Sequence, residues 1–120
     1  MKIAVGSKGY NLYSQVSDIF GRSSAFIIVD LENKEIKITS VINNPVRKES
    51  GSGSTAAQII VDHDADALIC GKLGPVAFHI LRNSEINVYK ITSGNVETNL
   101  KRFMDGKLKE ITSLSSGFPQ

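Results

Sequence analysis

The chain has little of what usually betrays a function. It holds one cysteine, Cys70, so no disulfide can form within it and a reducing compartment is expected. That cysteine and two histidines, His63 and His79, cannot build a four-ligand zinc site without carboxylates or a second subunit. No run of Lys or Arg exceeds two residues and the formal net charge is only +2, which argues against the concentrated basic face that nucleic acid requires. The longest apolar run, Ala25 to Val29, falls far short of a membrane span. The apolar stretch at Met1 to Gly6 is too short for a signal peptide. The expectation is a cytoplasmic protein with neither a nucleic-acid nor a membrane partner.

Catalytic signatures are missing too. The chain has no G-x-S-x-G nucleophile elbow, no Cys–His pair, and neither the G-x-x-x-x-G-K-[ST] nor the G-x-G-x-x-G phosphate pattern. A two-metal nuclease would need clustered carboxylates, one of them on the first strand, and Ile3-Ala4-Val5-Gly6-Ser7 carries none. The chain reads as a binding protein and not as an enzyme.

What is present is patterned. At 120 residues and 41% hydrophobic, the chain is long enough to bury the core of one domain. Lys2 to Gly6 opens as a strand. Ala25 to Asp30 is almost wholly apolar and β-branched, as in a strand covered on both faces. Glu32-Asn33-Lys34 makes a tight turn, after which Ile36 and Ile38 alternate with Lys37 and Thr39, so Phe26 to Ile42 reads as an antiparallel hairpin. A polar, Gly/Ser-rich stretch from Arg47 to Ser54 then leads into a helix with the i, i+4 pairs Ala56/Ile60 and Ala57/Val61. Ala67 to Cys70 is a strand, and Val76 to Asn83 a helix with the pairs Val76/Ile80 and Ala77/Leu81. Ile86, Val88 and Ile91 mark a further strand, and Val96, Leu100, Phe103 and Met104 a last helix. The alternation in the second half predicts parallel strands under helices. A mixed sheet of about five strands, with helices on both faces, is the expected architecture. It would occupy residues 1–112 as one α/β domain, with 113–120 as a flexible tail of turn-type composition.

Three times a loop rich in Gly, Ser or Thr stands directly before a helix: Ser50 to Thr55, Gly71 to Pro75, and Thr92 to Asn95. Such residues are ordinary capping chemistry. They also leave helix N-termini, with free N–H groups and a partial positive charge, open to an anion. In an open α/β sheet the loops after parallel strands line the ligand crevice, which places the second and third loops on that edge. The candidate binding residues are therefore Arg22, Gly51, Ser52, Gly53, Ser54, Thr55, Lys72, Gly74 and Gly94. Cys70, at the end of its strand, is the one candidate metal ligand, though a buried cysteine is commonly a small core residue. Asp62-His63-Asp64-Ala65-Asp66 looks metal-rich but falls at a helix–strand junction, where such residues are ordinary solvated turn residues.

In order along residues 1–110, several segments resemble the dinitrogenase iron–molybdenum cofactor biosynthesis family, that is, the NifX-like proteins and the C-terminal domain of NifB-type proteins. The segments are Met1 to Val5, Ser14 to Arg22 with its Phe20-Gly21-Arg22, Phe26 to Asp30, the Gly/Ser loop with Ala56-Ala57-Gln58, Asp66 to Phe78 with its Gly71-x-x-Gly74-Pro75-x-Ala77-Phe78, Ile86 to Tyr89, and Gly106-Lys107-Leu108. The resemblance implies a three-layer, ribonuclease-H-like α/β fold with a five-stranded mixed sheet whose second strand is antiparallel. It also implies a carrier or accessory role, with an iron–sulfur or iron–molybdenum cluster, or its precursor, as the anionic ligand and cluster donor or acceptor proteins as partners. Many relatives carry His immediately before Phe-Gly-Arg; here that position is Ile19, which cannot coordinate a metal. The alternative is an interaction or regulatory module that binds a protein partner or a small non-metal anion.

Overall fold

The computed structural model describes residues 1–46, 48–49 and 52–114. Of the residues assigned above to a tail, 115–120 lie outside the described residues; Leu114 packs against the core.

Three strands form an antiparallel meander: β1 (Lys2–Ser7), β2 (Ala25–Glu32) and β3 (Glu35–Asn43). The β2–β3 hairpin closes through Asn33 and Lys34, both with positive φ (52° and 64°), the left-handed pair that a two-residue turn needs to match the twist of its strands. A crossover through α1 (Ser52–Asp62) then delivers β4 (Ala67–Cys70) parallel to β1, on the side away from β2. A second crossover through α2 (Pro75–Asn83) sets β5 (Asn87–Lys90) parallel to β4. Helix α3 (Val96–Met104) follows, and the chain returns as β6 (Glu110–Ile111), antiparallel to β5. The sheet order is β3-β2-β1-β4-β5-β6.

The sheet therefore has six strands and not the expected five. The sixth is two residues long, held by Val88 opposite Ile111 and Tyr89 opposite Glu110. A strand so short leaves no alternation to read in sequence. The remaining elements stand where the hydrophobic periodicity puts them, with ends that shift by a few residues.

Helices cover both faces. Ala4, Phe26, Ile28, Leu68, Cys70 and Val88 pack beneath α1 and α2, which contribute Ala56, Ala57, Ile60, Ala77, Phe78 and Leu81. On the other face Ile3, Val5, Ile27, Val29, Ala67 and Ile69 pack beneath Val96 and Leu100 of α3. The alternation along β1 sorts its side chains into these two layers, so β1 is buried from both sides. Among the described residues, no helix is long and apolar enough to cross a membrane.

Candidate functional site

The site begins with a single 3-10 turn, Phe20–Arg22, lying between the end of β1 and the start of β2. Phe20 is fully buried against Phe26, ring centroids 5.3 Å apart, and this anchors the turn to the sheet. The Ser17 hydroxyl donates to the Ile19 carbonyl (2.9 Å) and the Ser23 hydroxyl to the Phe20 carbonyl (2.8 Å). Buried Asn44 donates its side-chain amide to the carbonyls of both Gly21 and Ser23 (3.0 Å each), clasping the turn to the chain just after β3. With these bonds made, Arg22 projects from a fixed backbone, its side chain exposed.

The loop after β4 is sewn to the same turn. The Lys72 amide donates to the Asp18 carbonyl and the Phe20 amide to the Lys72 carbonyl, both 2.8 Å. This close approach requires glycine at 71, because a Cβ there would overlap the Asp18 carbonyl and stand 2.6 Å from that of Ser17. Gly21 does the same against α1: a Cβ there would lie 2.9 Å from the Gly53 amide nitrogen.

Between the turn, the start of α1 and the start of α2 lies a cavity of about 350 Å³. Its lining includes Ile19, Gly21, Arg22, Glu49, Ser52, Gly53, Ser54, Lys72, Leu73, Gly74, Pro75 and Val76. Of the residues singled out in the sequence, Arg22, Ser52, Gly53, Ser54, Lys72 and Gly74 thus share one cavity. Thr55 sits in the first turn of α1 outside the lining, and Gly51 lies outside the described residues.

Gly94 is placed elsewhere. It precedes α3, on the opposite face of the sheet, and donors at that helix start are already consumed. The Val96 amide donates to the Ser14 carbonyl and the Glu97 amide to that of Leu12 (2.9 Å each), while Asn95 caps the helix through the Thr98 amide (2.8 Å). The start of α2 is different. Gly74 offers no side-chain cap, Pro75 has no N–H, and the first intrahelical bond is Phe78 to the Gly74 carbonyl. The amides of Val76 and Ala77 therefore have no hydrogen-bond partner among the described residues. Unpaired first-turn amides and the helix dipole give this end a positive character. Arg22 and Lys72 add two full charges, and neither is engaged in an ion pair among the described residues. Ile19 and Val76, 45% and 62% exposed, stand as apolar flanks. In chemical terms the cavity combines hydrogen-bond donors and positive charge with apolar walls.

Cys70 does not reach this cavity. It is fully buried in the layer beneath α1 and α2, and burial pushes its thiol far up from the ordinary value. The native protein should resist iodoacetamide and be alkylated at Cys70 once urea is added, as mass spectrometry would read; rapid native labelling would mean that the core opens. The unfolded thiol ionises near 9.0 while the folded one keeps its proton, so stability contributed by Cys70 should decline as pH rises past 9.0. Urea melts on either side of that pH measure it.

The Asp62–Asp66 segment serves the turn it occupies. Gln58 donates to Asp62, His63 Nδ1 lies 2.8 Å from the Ile59 carbonyl, and the Lys2 amide donates to Asp66 (2.7 Å). Among the described residues, no group of three or more His, Cys, Asp or Glu side chains is placed to hold a metal ion.

The fold is that of a small α/β domain with the cavity described above. The chain belongs to the family described as dinitrogenase iron-molybdenum cofactor, whose sequence profile matches residues 1–106. It is similar to the orange protein of Desulfovibrio gigas, solved in its apo form, with a TM-score of 0.82 and 29% identity, covering 93% of each chain. The NMR structure of a candidate NifB protein from Thermotoga, of the DUF35 family, superimposes with a TM-score of 0.80 at 32% identity, covering 94% of this chain and 95% of that one. A protein of Methanocaldococcus jannaschii, the uncharacterized MJ0580, is 35% identical over 98 residues, 81% of this chain and 83% of its own.

Proposed function

We propose that this chain is a small, non-enzymatic carrier or accessory protein of the cytoplasm, one α/β domain over residues 1–112, which binds an anionic iron–sulfur or iron–molybdenum cofactor, or a precursor of one, in the cavity between the Phe20–Arg22 turn and the starts of α1 and α2. Cluster donor and acceptor proteins are its partners in this reading. The strand order 3-2-1-4-5 with β2 antiparallel supports a ribonuclease-H-like fold, with β6 an addition at the edge.

One observation carries the reading: the unpaired Val76 and Ala77 amides, Arg22 and Lys72 all belong to one cavity, whereas the equivalent amides of α3 are spent inside the protein. Membership of the family supplies the ligand class. The volume, about 350 Å³, is at the small end for ligand sites and suits a compact anion better than a dinucleotide. Because Cys70 is buried and Ile19 cannot ligate, this reading holds the cluster as an anion, by hydrogen bonds and charge rather than by coordination.

Anaerobic purification without a metal-binding tag, iron, molybdenum and sulfide analysis, and titration with a reconstituted iron–sulfur cluster test it. Uptake of one cluster per chain is expected, with no loss in Cys70→Ser. A colourless protein that takes up no metal sinks the carrier reading. The shortage of ligating side chains at the cavity favours one second reading, a binding module for a small non-metal anion such as a phosphorylated metabolite.

A further inference from the structure

The cavity is not uniformly positive. Glu49 lines it together with Arg22 and Lys72, and its carboxylate is engaged by no cation or hydrogen-bond donor among the described residues. Three charged groups thus share one small space without neutralising one another. Had Glu49 served to fix the loop before α1, an ion pair with Lys72 or Arg22 would be the simplest arrangement, and it is not made. A carboxylate accepts hydrogen bonds and cannot donate one. An anion whose oxygens are all acceptors therefore meets repulsion at Glu49 and matching donors elsewhere. An anion that also carries an O–H finds an acceptor for that proton as well as donors for its oxygens.

We infer that Glu49 makes the cavity selective for oxyanions that bring their own hydrogen-bond donor, hydrogenphosphate and phosphate monoesters with a neighbouring hydroxyl, over fully deprotonated anions of the same size and charge. The inference rests on the second reading above, the cavity as a site for a small non-metal anion. The O–H of the ligand would donate to a Glu49 carboxylate oxygen while Lys72, Arg22 and the Val76 and Ala77 amides donate to the remaining oxygens. Removing the carboxylate relieves the repulsion for both anions, but only hydrogenphosphate loses by it: glutamine leaves a weaker, neutral acceptor for its O–H and alanine leaves none.

Sulfate and hydrogenphosphate are the probes, since in mildly alkaline buffer both carry a double negative charge and nearly the same shape, and only the second has a proton to give. Titrations at low ionic strength would follow the Val76 and Ala77 amide signals by NMR in the wild type, in Glu49→Gln and in Glu49→Ala, all of which should fold because Glu49 is exposed. The expected result is a preference for phosphate of about tenfold or more in the wild type, collapsing to within about twofold in both variants because sulfate tightens. Equal binding of the two anions by the wild type, or a preference unchanged in both variants, overturns the role of Glu49 and leaves the anion site standing. If neither anion moves those amides, the small-oxyanion site is refuted and the selectivity with it, while the cluster titration still decides the carrier reading.

Discussion

Replacing Gly71 with alanine will lower the stability of the domain by about 3 kcal/mol or more, a large share of what a protein of this size has to spare. The added methyl would overlap the Asp18 carbonyl and crowd that of Ser17, both backbone groups that no side-chain rotation can move aside. Relief requires the two loops to part, which breaks the bonds from Lys72 to Asp18 and from Phe20 to Lys72, at about 1 kcal/mol each. Urea denaturation should show a lower midpoint with an unchanged slope, and the melting temperature should drop by roughly 10 °C or more. Gly74→Ala is the control: a Cβ there meets nothing within 4 Å, so its cost should stay below about 1 kcal/mol. A Gly71→Ala protein as stable as Gly74→Ala would mean that residues 17–19 are not seated against β4 at all, and the cavity would lose one of its walls.

The second large effect is on binding. The double variant Arg22→Ala, Lys72→Ala should weaken anion affinity by about a hundredfold at low salt, with each single change giving about tenfold. Both side chains are exposed and unpaired among the described residues, so stability should stay within about 0.5 kcal/mol of the wild type. The two singles need not add, because the charges share one ligand. Salt dependence separates this from a packing effect: wild-type affinity should fall as ionic strength rises, and that of the double variant much less. Isothermal titration with hydrogenphosphate at several salt concentrations reads both. Affinity unchanged in the double variant would move any anion away from this cavity.

These two predictions concern residues of different legibility. Gly71, Lys72 and Gly74 stand in a strand–loop–helix pattern that the apolar runs on either side make plain, so the loop, its position at the carboxyl end of β4 and the helix start were all readable. The same holds for Phe20-Gly21-Arg22, whose resemblance to a known segment marks it. What was not readable is which loops meet. Three Gly- and Ser-rich loops before helices look alike in sequence, yet α3 packs on the opposite face from α1 and α2, and Gly94 goes with it. The choice of face depends on long-range packing of Val96 and Leu100 against Ile3, Val5 and Ile69, which no local pattern encodes. Nor could sequence show that the carbonyls of Leu12 and Ser14 would reach the α3 amides while those of Val76 and Ala77 stayed unpaired. Nothing local in the sequence singles out Asn44, because its clasp on the Phe20–Arg22 turn spans more than twenty residues of chain. Glu49 lay in a stretch read only for its glycine and serine. Two-residue β6 was beyond any periodicity.

The central place of β1 bears on how the chain comes to be folded. Its antiparallel partner β2 is the next strand in the chain, after residues 8–24, so a β1–β2–β3 meander can close within the first 43 residues while the rest of the chain is still being made. The other flank of β1 must wait for residues 67–69, and only then does the loop after β4 reach Asp18 and Phe20. The cavity is thus completed by the slow, non-local step. Any ligand it accepts would engage the finished domain and not the meander, and so would draw the folding equilibrium forward at its last stage.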